Sequence, residues 1–535
     1  MKRTAVQLLG ALVLLGAAFG AAPRIQTTPA FDLVFRGGRV VDGTGSPWVR
    51  ADVAVRGDAI ALVAPRIDAQ AARVVDATGL VITPGFIDIH THARRGIFTV
   101  PTADNYTRQG VTTIFEGPDG SSPLPIRDFL ARVEATRISP NFGTFVGQGS
   151  IREAVIGAVD RKATPAEMDR MREIVRQGMR DGAVGLSTGL FYVPGVFTPT
   201  DEVIELAKVA GTMGGIHVSH MRNEAAGVLD SVRETIAIGE QGGLPTQLTH
   251  HKIIGVRNWG LSAETLKLVL AARARGVDVT IDQYPYTASA TSLSALFPAW
   301  ALEGGRTDVV KRLRDVAARS TIKATVVENI RFDRGGGDPK NVRISSCAWD
   351  PSLAGRNLAE ITLQRGLQPT IENAAETAMF IVENGGAQGI FHAIDERDLE
   401  RILACPLTMI ASDGEVPVFG QAVPHPRSYG TFARVLAIYV REKGVLTLEE
   451  AVRKMTSLPA SRLGLQDRGI LRAGMKADLA LFDPARVRDK ATFDQPHQYA
   501  EGFAMVVVNG QVIFEKDAMT TARPGRILYG PAFVK

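Results

Sequence analysis

Two textures of apolar and polar positions divide the chain. From Phe31 to Ala72, short apolar runs of strand length (Phe31–Gly38, Val49–Val55, Ala59–Val63) are punctuated by Gly and Asp. This is the pattern of a small antiparallel β-module. The same texture returns in Ala477–Asp483 and Met505–Ile513. Both ends of the chain are therefore expected in one β-sandwich, built from residues 31–81 and 466–535, with a long insertion between them.

That insertion, residues 82–465, has a different rhythm. Thr112–Glu116, Ala183–Ser187, Gly215–Ser219, Thr246–Thr249, Asp278–Asp282 and Leu407–Ser412 read as buried strands. Helical stretches such as Pro165–Arg180, Gly227–Gln241 and Ser262–Arg275 separate them. Alternation of this kind favours a parallel α/β sheet, and a closed TIM (β/α)8 barrel places its chemistry at the C-terminal strand ends. An open doubly wound sheet is the alternative. Against it, no Gly-rich phosphate loop lies between a strand and a helix. The segment Leu296–Cys347, with Gly335-Gly336-Gly337, breaks the alternation and is expected as a lid or insert over residues 296–347.

At 535 residues the chain is long enough for a full barrel with additions. A hydrophobic content of 45% and a charged content of 22% are ordinary for a globular protein. The net charge of +5 is small for this length, and no basic run is interleaved with aromatics, so nucleic acid is not an expected partner. Lys2 and Arg3, the apolar run Val6–Phe19 and then Gly20-Ala21-Ala22 read as a signal peptide over residues 1–22, implying a periplasmic or secreted protein. The apolar run is shorter than the roughly 20 residues that span a bilayer, so no stable membrane insertion is expected after cleavage. Cys347 and Cys405 are the only cysteines, too few for a disulfide framework; a single pair or two buried thiols remain open.

Candidate chemistry begins at Gly85-Phe86-Ile87-Asp88-Ile89-His90-Thr91-His92. Two histidines at i and i+2 on an extended strand share a face, and imidazole suits zinc and its neighbours. Applied to the other strand ends, the barrel rule selects Glu116 and Asp119 after the second strand, His220, His250 with His251, and Asp413. The interval from His220 to His250 is about 30 residues, one βα unit, so successive strands would present equivalent atoms. Four histidines and an aspartate on one rim point to a metal site. A divalent metal brings the pKa of its bound water to roughly 7 and polarises a carbonyl, which is hydrolytic chemistry. Asp413, after the last strand, is placed to carry the proton from water to the leaving group.

These residues resemble the metal-dependent amidohydrolase superfamily and, within it, the D-aminoacylase (N-acyl-D-amino-acid deacylase) group. The landmarks are Phe31–Asp42 (FDLVFRGGRVVD), Pro84–His92 (PGFIDIHTH), Gly182–Pro194 (GAVGLSTGLFYVP), His220–Glu224 (HMRNE), His250–Lys252 (HHK), Asp282–Ala288 (DQYPYTA), Ser412-Asp413-Gly414 and His425–Phe432 (HPRSYGTF). The ending, Asn509-Gly510 and Arg523-Pro524-Gly525-Arg526, is similar too. PGFIDIHTH marks only the superfamily; its combination with GLSTGL and HPRSYGTF is more specific. The resemblance implies a distorted TIM barrel plus a β-sandwich, one or two Zn2+ ions, and hydrolysis of an N-acyl amino acid, D-configured substrates favoured. It gives His90, His92, His220 and His250 to the metal and makes Asp413 the base. Lys252, Tyr284 and Arg427 are associated with the substrate carboxylate, for which Arg offers a fork and Lys a point charge.

One position departs from the group. Many members carry a cysteine ligand in a Gly-Asn-Cys-Gly turn after the second strand; here the turn is Gly117-Pro118-Asp119-Gly120. Asp119 takes that ligand position, with Glu116 as the alternative bridging carboxylate. A carboxylate is harder than thiolate and favours a hydrated or binuclear site, which leaves metal number and identity open. The alternatives within the same chemistry are a dipeptidase and a cyclic-amide or carbamoyl hydrolase. Phosphoester hydrolysis and a non-catalytic binding protein stand further off. By resemblance alone, homo-oligomers are common on this architecture; the oligomeric state stays open.

Overall fold

The computed structural model describes residues 30–535; the expected signal peptide lies outside the described residues. Eight parallel strands surround the centre. They are Phe86–His92, Val111–Glu116, Asn141–Thr144 continued by Val146–Gly147, Gly185–Gly189, Ile216–His220, Thr246–Leu248, Val279–Gln283 and Thr408–Ile410. With the short segment Gly414–Glu415 beside the first strand, they form two curved parallel ladders of four and six segments. One seam is crossed where Val184 N–H donates to Thr144 O at 2.9 Å, the other where Asp413 N–H donates to His90 O at 2.9 Å. The result is a distorted TIM barrel. Its strands are short and buried on both faces, as parallel strands under helices must be. Helix Pro165–Arg180 starts where the sequence places it, with a capping box between Thr164 and Glu167.

The two chain ends share one nine-stranded sheet. Phe31–Val40 pairs antiparallel with Val49–Arg56 and parallel with Ala71–Asp76, while Leu479–Phe482 pairs with Phe503–Val508. Leu33, Phe35, Val53, Leu479, Leu481 and Val507 fill a common core. Val81–Pro84 belongs here: it pairs antiparallel with Leu479–Phe482 and parallel with Phe31–Val40. Ile82 is thus the sheet's, and the barrel begins at Phe86.

The segment expected over 296–347 is larger. Ser289–Ser292, Val342–Ser346 and Gln388–Phe391 form a separate antiparallel sheet whose middle strand is the last in sequence. Helices Val316–Phe332 and Ile371–Asn384 pack with it around Leu293, Ile330, Ile344, Ile381 and Phe391. This insert, Ser289 to Phe391, is a folded subdomain with its own core. Cys347 and Cys405 are free and buried. Among the described residues no helix is long and apolar enough to cross a membrane.

Candidate metal centre

The C-terminal strand ends open into a cavity of about 950 Å³, walled partly by the insert. His90 and His92 end the first barrel strand, and strand alternation puts both rings on one face. Asp119 reaches them from the turn after Val111–Glu116. Its φ of 61° is left-handed, and at Gly120 a Cβ would lie 2.5 Å from Gly189 N, so only glycine lets the turn close. His250 and Asp413 are left-handed as well, with φ of 35° and 51°. Strained residues persist where surrounding contacts fix them. Here His250 N–H donates to Asp282 Oδ1 at 2.7 Å, and Asp413 N–H donates to His90 O.

Two donor groups result: His90, His92, Asp119 and Asp413, and then Asp119, His220 and His250. Asp119 belongs to both. Its Oδ1 lies 3.6 Å from His90 Nε2 and 3.3 Å from His250 Nε2; its Oδ2 lies 3.5 Å from His92 Nε2 and 3.7 Å from His220 Nδ1. Asp413 Oδ1 is 3.0 Å from His92 Nε2 and 3.5 Å from His90 Nε2. Glu116 stays outside both groups, its carboxylate accepting Arg94 N–H at 3.0 Å. His251 turns away, 2.8 Å from Thr265 Oγ1.

The electrostatics centre on these carboxylates. Burial pushes the Asp413 carboxyl up, but Arg427, His90 and His92 outweigh it and hold the group well below the usual carboxylate range. Asp119 is held low by His250 and His90 against the same burial. Burial pushes the His90 imidazole down, and Asp119, Asp282 and Asp413 together raise it well above its ordinary value. The spot therefore draws positive charge, carried by protons or by a metal.

Lys252, Tyr284 and Arg427 all line the cavity, though two of them are already engaged. Lys252 Nζ donates to Glu224 Oε1 and to His250 O at 3.0 Å, and lies 2.7 Å from His250 Nδ1. Arg427 Nη1 lies 2.7 Å from Asp413 Oδ2, with its guanidinium 4.7 Å above the Tyr284 ring. Tyr284 Oη is buried without a hydrogen-bond partner among the described residues. Glu224 and Asp282 were not selected among the strand-end residues, yet both carry the site. Glu224 faces His220 and His250 at 3.7 and 3.2 Å, and Asp282 Oδ1 lies 3.3 Å from His90 Nδ1. The i, i+4 spacing of His220 and Glu224 and the aspartate opening DQYPY were the available signals.

A model of the amidohydrolase family matches residues 73–514. The chain belongs to the amidohydrolase family. This amidohydrolase is 37% identical to the D-aminoacylase of Alcaligenes xylosoxydans xylosoxydans over 521 residues, covering 93% of this chain and 97% of that one. Its structure is similar to N-acyl-D-glutamate deacylase from Bordetella bronchiseptica complexed with zinc and a phosphonate inhibitor that mimics the tetrahedral intermediate. That match has a TM-score of 0.80 at 34% identity, over 93% of this chain and 99% of that one. A D-aminoacylase structure described with a binuclear metal centre, one metal activating and the second attenuating, matches at TM-score 0.80 and 35% identity, over 93% and 99% of the two chains. The donor set fits such a centre. His220 Nδ1 and His250 Nε2 lie 2.7 Å apart beside a carboxylate, and His90 Nε2, facing Asp119 and Asp413, is buried without a hydrogen bond among the described residues. Lone pairs so placed suit a shared cation.

Proposed function

We propose that this amidohydrolase cleaves the amide bond of N-acyl amino acids, D-configured substrates preferred, with zinc as its metal. The observation that carries the reading is the pair of donor groups sharing Asp119, with Asp413 and Arg427 at their edge. The relatives, D-aminoacylase and N-acyl-D-glutamate deacylase, support the substrate class. His90, His92, Asp119 and Asp413 would hold one ion, and Asp119, His220 and His250 a second. A bound zinc ion supplies a Lewis acid for the acyl carbonyl and lowers the pKa of water to about 7. Asp413, kept unprotonated beside Arg427, accepts the proton of the attacking water and returns it to the leaving amine. Asp282 and Glu224 fix the orientation of the His90 and His250 rings through their other nitrogens. The leader-like sequence of residues 1–22 supports export to the periplasm or beyond, which mass spectrometry of the mature N-terminus tests.

The decisive experiment is amine release from paired N-acetyl-D- and N-acetyl-L-amino acids, with dipeptides and a cyclic amide beside them. D-selective release that falls in chelator and returns with zinc is expected. Full rate in excess chelator, or faster turnover of the dipeptides or the cyclic amide, overturns the reading.

A further inference from the structure

Gly335-Gly336-Gly337 in the insert gives a role to the residue before it. Helix Val316–Phe332 ends at Asp333, and the chain then turns back on itself. At Gly335 a Cβ would lie 2.2 Å from Ile330 O, and Gly336 and Gly337 have φ of +54° and +90°. Only glycines accommodate that turn. It aims Arg334 out of the insert and into the cavity, where the residue is 6% exposed.

Arg334 makes no hydrogen bond among the described residues. Its guanidinium stacks 4.5 Å over the Phe191 ring, and its nearest carboxylate oxygen, Glu224 Oε2, is 3.8 Å away, beyond hydrogen-bond reach. Glu224 already accepts from Lys252. The other cations lining the cavity are engaged: Lys252 on Glu224 and His250, Arg427 on Asp413, Arg94 on Ser121 and Arg95 on Glu415. A buried guanidinium without an acceptor is costly, and its planar fork matches a carboxylate through two parallel hydrogen bonds. Tyr284 Oη, buried without a hydrogen-bond partner among the described residues, lines the same cavity.

We propose that Arg334 binds a carboxylate of the substrate's amino-acid half, so that the insert carries a specificity-determining residue. The proposal rests on the N-acyl amino acid reading above. That carboxylate is either the α-carboxylate common to all such substrates or the side-chain carboxylate of acidic ones. The rest of the insert's wall, with Ser292, Ser345, Ser346 and Gln388, is polar and tolerates either.

The test compares zinc-loaded wild type, R334Q and R334K on N-acetyl-D-leucine, N-acetyl-D-glutamine and N-acetyl-D-glutamate. For R334Q a KM rise of roughly 10- to 100-fold is expected, the range of one lost charged hydrogen-bond pair. Its kcat, melting temperature and metal content should stay near wild type. R334K keeps the charge and loses the fork, so its KM falls between. A rise for all three substrates assigns the α-carboxylate; a rise for N-acetyl-D-glutamate alone assigns the side chain. Unchanged KM throughout, or a loss confined to kcat, overturns the proposal. Calorimetric binding of N-acetyl-D-leucine, N-acetyl-D-glutamate and N-acetyl-D-leucinamide to the chelated proteins separates the two readings. Carboxylate binding that depends on Arg334 in a protein that hydrolyses none of the set would sink the activity and keep the anchor. Binding indifferent to Arg334 would sink the anchor alone.

Discussion

Asp119 contributes to both donor groups, and no histidine does. Its two oxygens face four imidazoles at 3.3 to 3.7 Å, so removing them takes a donor from both groups, leaving His220 and His250 in one and His90, His92 and Asp413 in the other. Asp119→Ala is expected to retain less zinc after dialysis than either His92→Ala or His220→Ala, each of which keeps one intact group. Metal content by plasma emission decides this, and an Asp119→Ala protein that keeps as much zinc as the histidine variants would show the groups to be independent. The histidines and Asp413 were legible in sequence because parallel barrel strands deliver their last residues to a single rim. Glu224, Asp282 and Arg334 were not. Glu224 sits in a loop beyond its strand and Asp282 inside one, while Arg334 precedes a glycine run that reads as a connector. The engagement of Lys252 and Arg427 by neighbouring carboxylates was invisible for a related reason: pairing partners 28 and 14 residues apart meet only in the fold.

At the scale of elements, helix Leu448–Met455 fixes the last barrel strand. Thr447 caps it by accepting Glu450 N–H, and Lys454 runs inward to donate from Nζ to Cys405 O and, at 3.0 Å, to Thr408 O. Burial pushes the Lys454 ammonium down to about 8, with Glu450 opposing weakly, while the unfolded chain keeps a value near 10.5. Between about pH 8 and 10.5 the unfolded state therefore binds more protons, and this residue's contribution to stability rises with pH. Below pH 8 it is a penalty on the order of 3 kcal/mol. Urea unfolding of wild type and Lys454→Met at pH 7 and pH 10 checks the sign. The difference should move in favour of wild type at the higher pH, and a constant difference would refute it. Helices Pro165–Arg180, Val228–Gly242 and Ser262–Ala274 were readable from sequence to within a residue, and so were most barrel strands to within two residues. Asn141–Thr144 was not, because its NFGT run lacks an apolar stretch. Gly143 is required there by the Phe115 ring, 2.2 Å from where a Cβ would stand.

On the scale of the whole molecule, the chain ends meet the barrel at its N-terminal face, opposite the donor groups. Asn141 Nδ2 donates to Asp478 Oδ2 at 3.1 Å, Asn509 Nδ2 to Asn141 Oδ1 at 2.7 Å, and Arg468 Nη1 to Asp478 Oδ2 at 2.6 Å. Residues 523–535 then run along that face. Phe142 N–H donates to Arg526 O, Leu528 N–H to Phe142 O, Gly530 N–H to Gly182 O and Val534 N–H to Arg180 O, all within 2.7 to 3.0 Å. The tail thus supports the third and fourth barrel strands, whose far ends lead to Gly147 and Gly189, packed against Gly120 and Asp119. Its Arg-Pro-Gly-Arg segment, recognisable in sequence only as a likeness, acts as structure: Gly525 packs where a Cβ would lie 2.1 Å from Pro140 O. Deleting 523–535 leaves buried carbonyl and N–H groups of Phe142 and Gly182 without partners, a loss on the order of 3–6 kcal/mol. The truncated protein is expected to melt earlier than wild type, with the surviving folded fraction keeping its KM and metal content. An unchanged melting temperature with altered KM would instead place the tail's influence at the cavity, along the strands it holds.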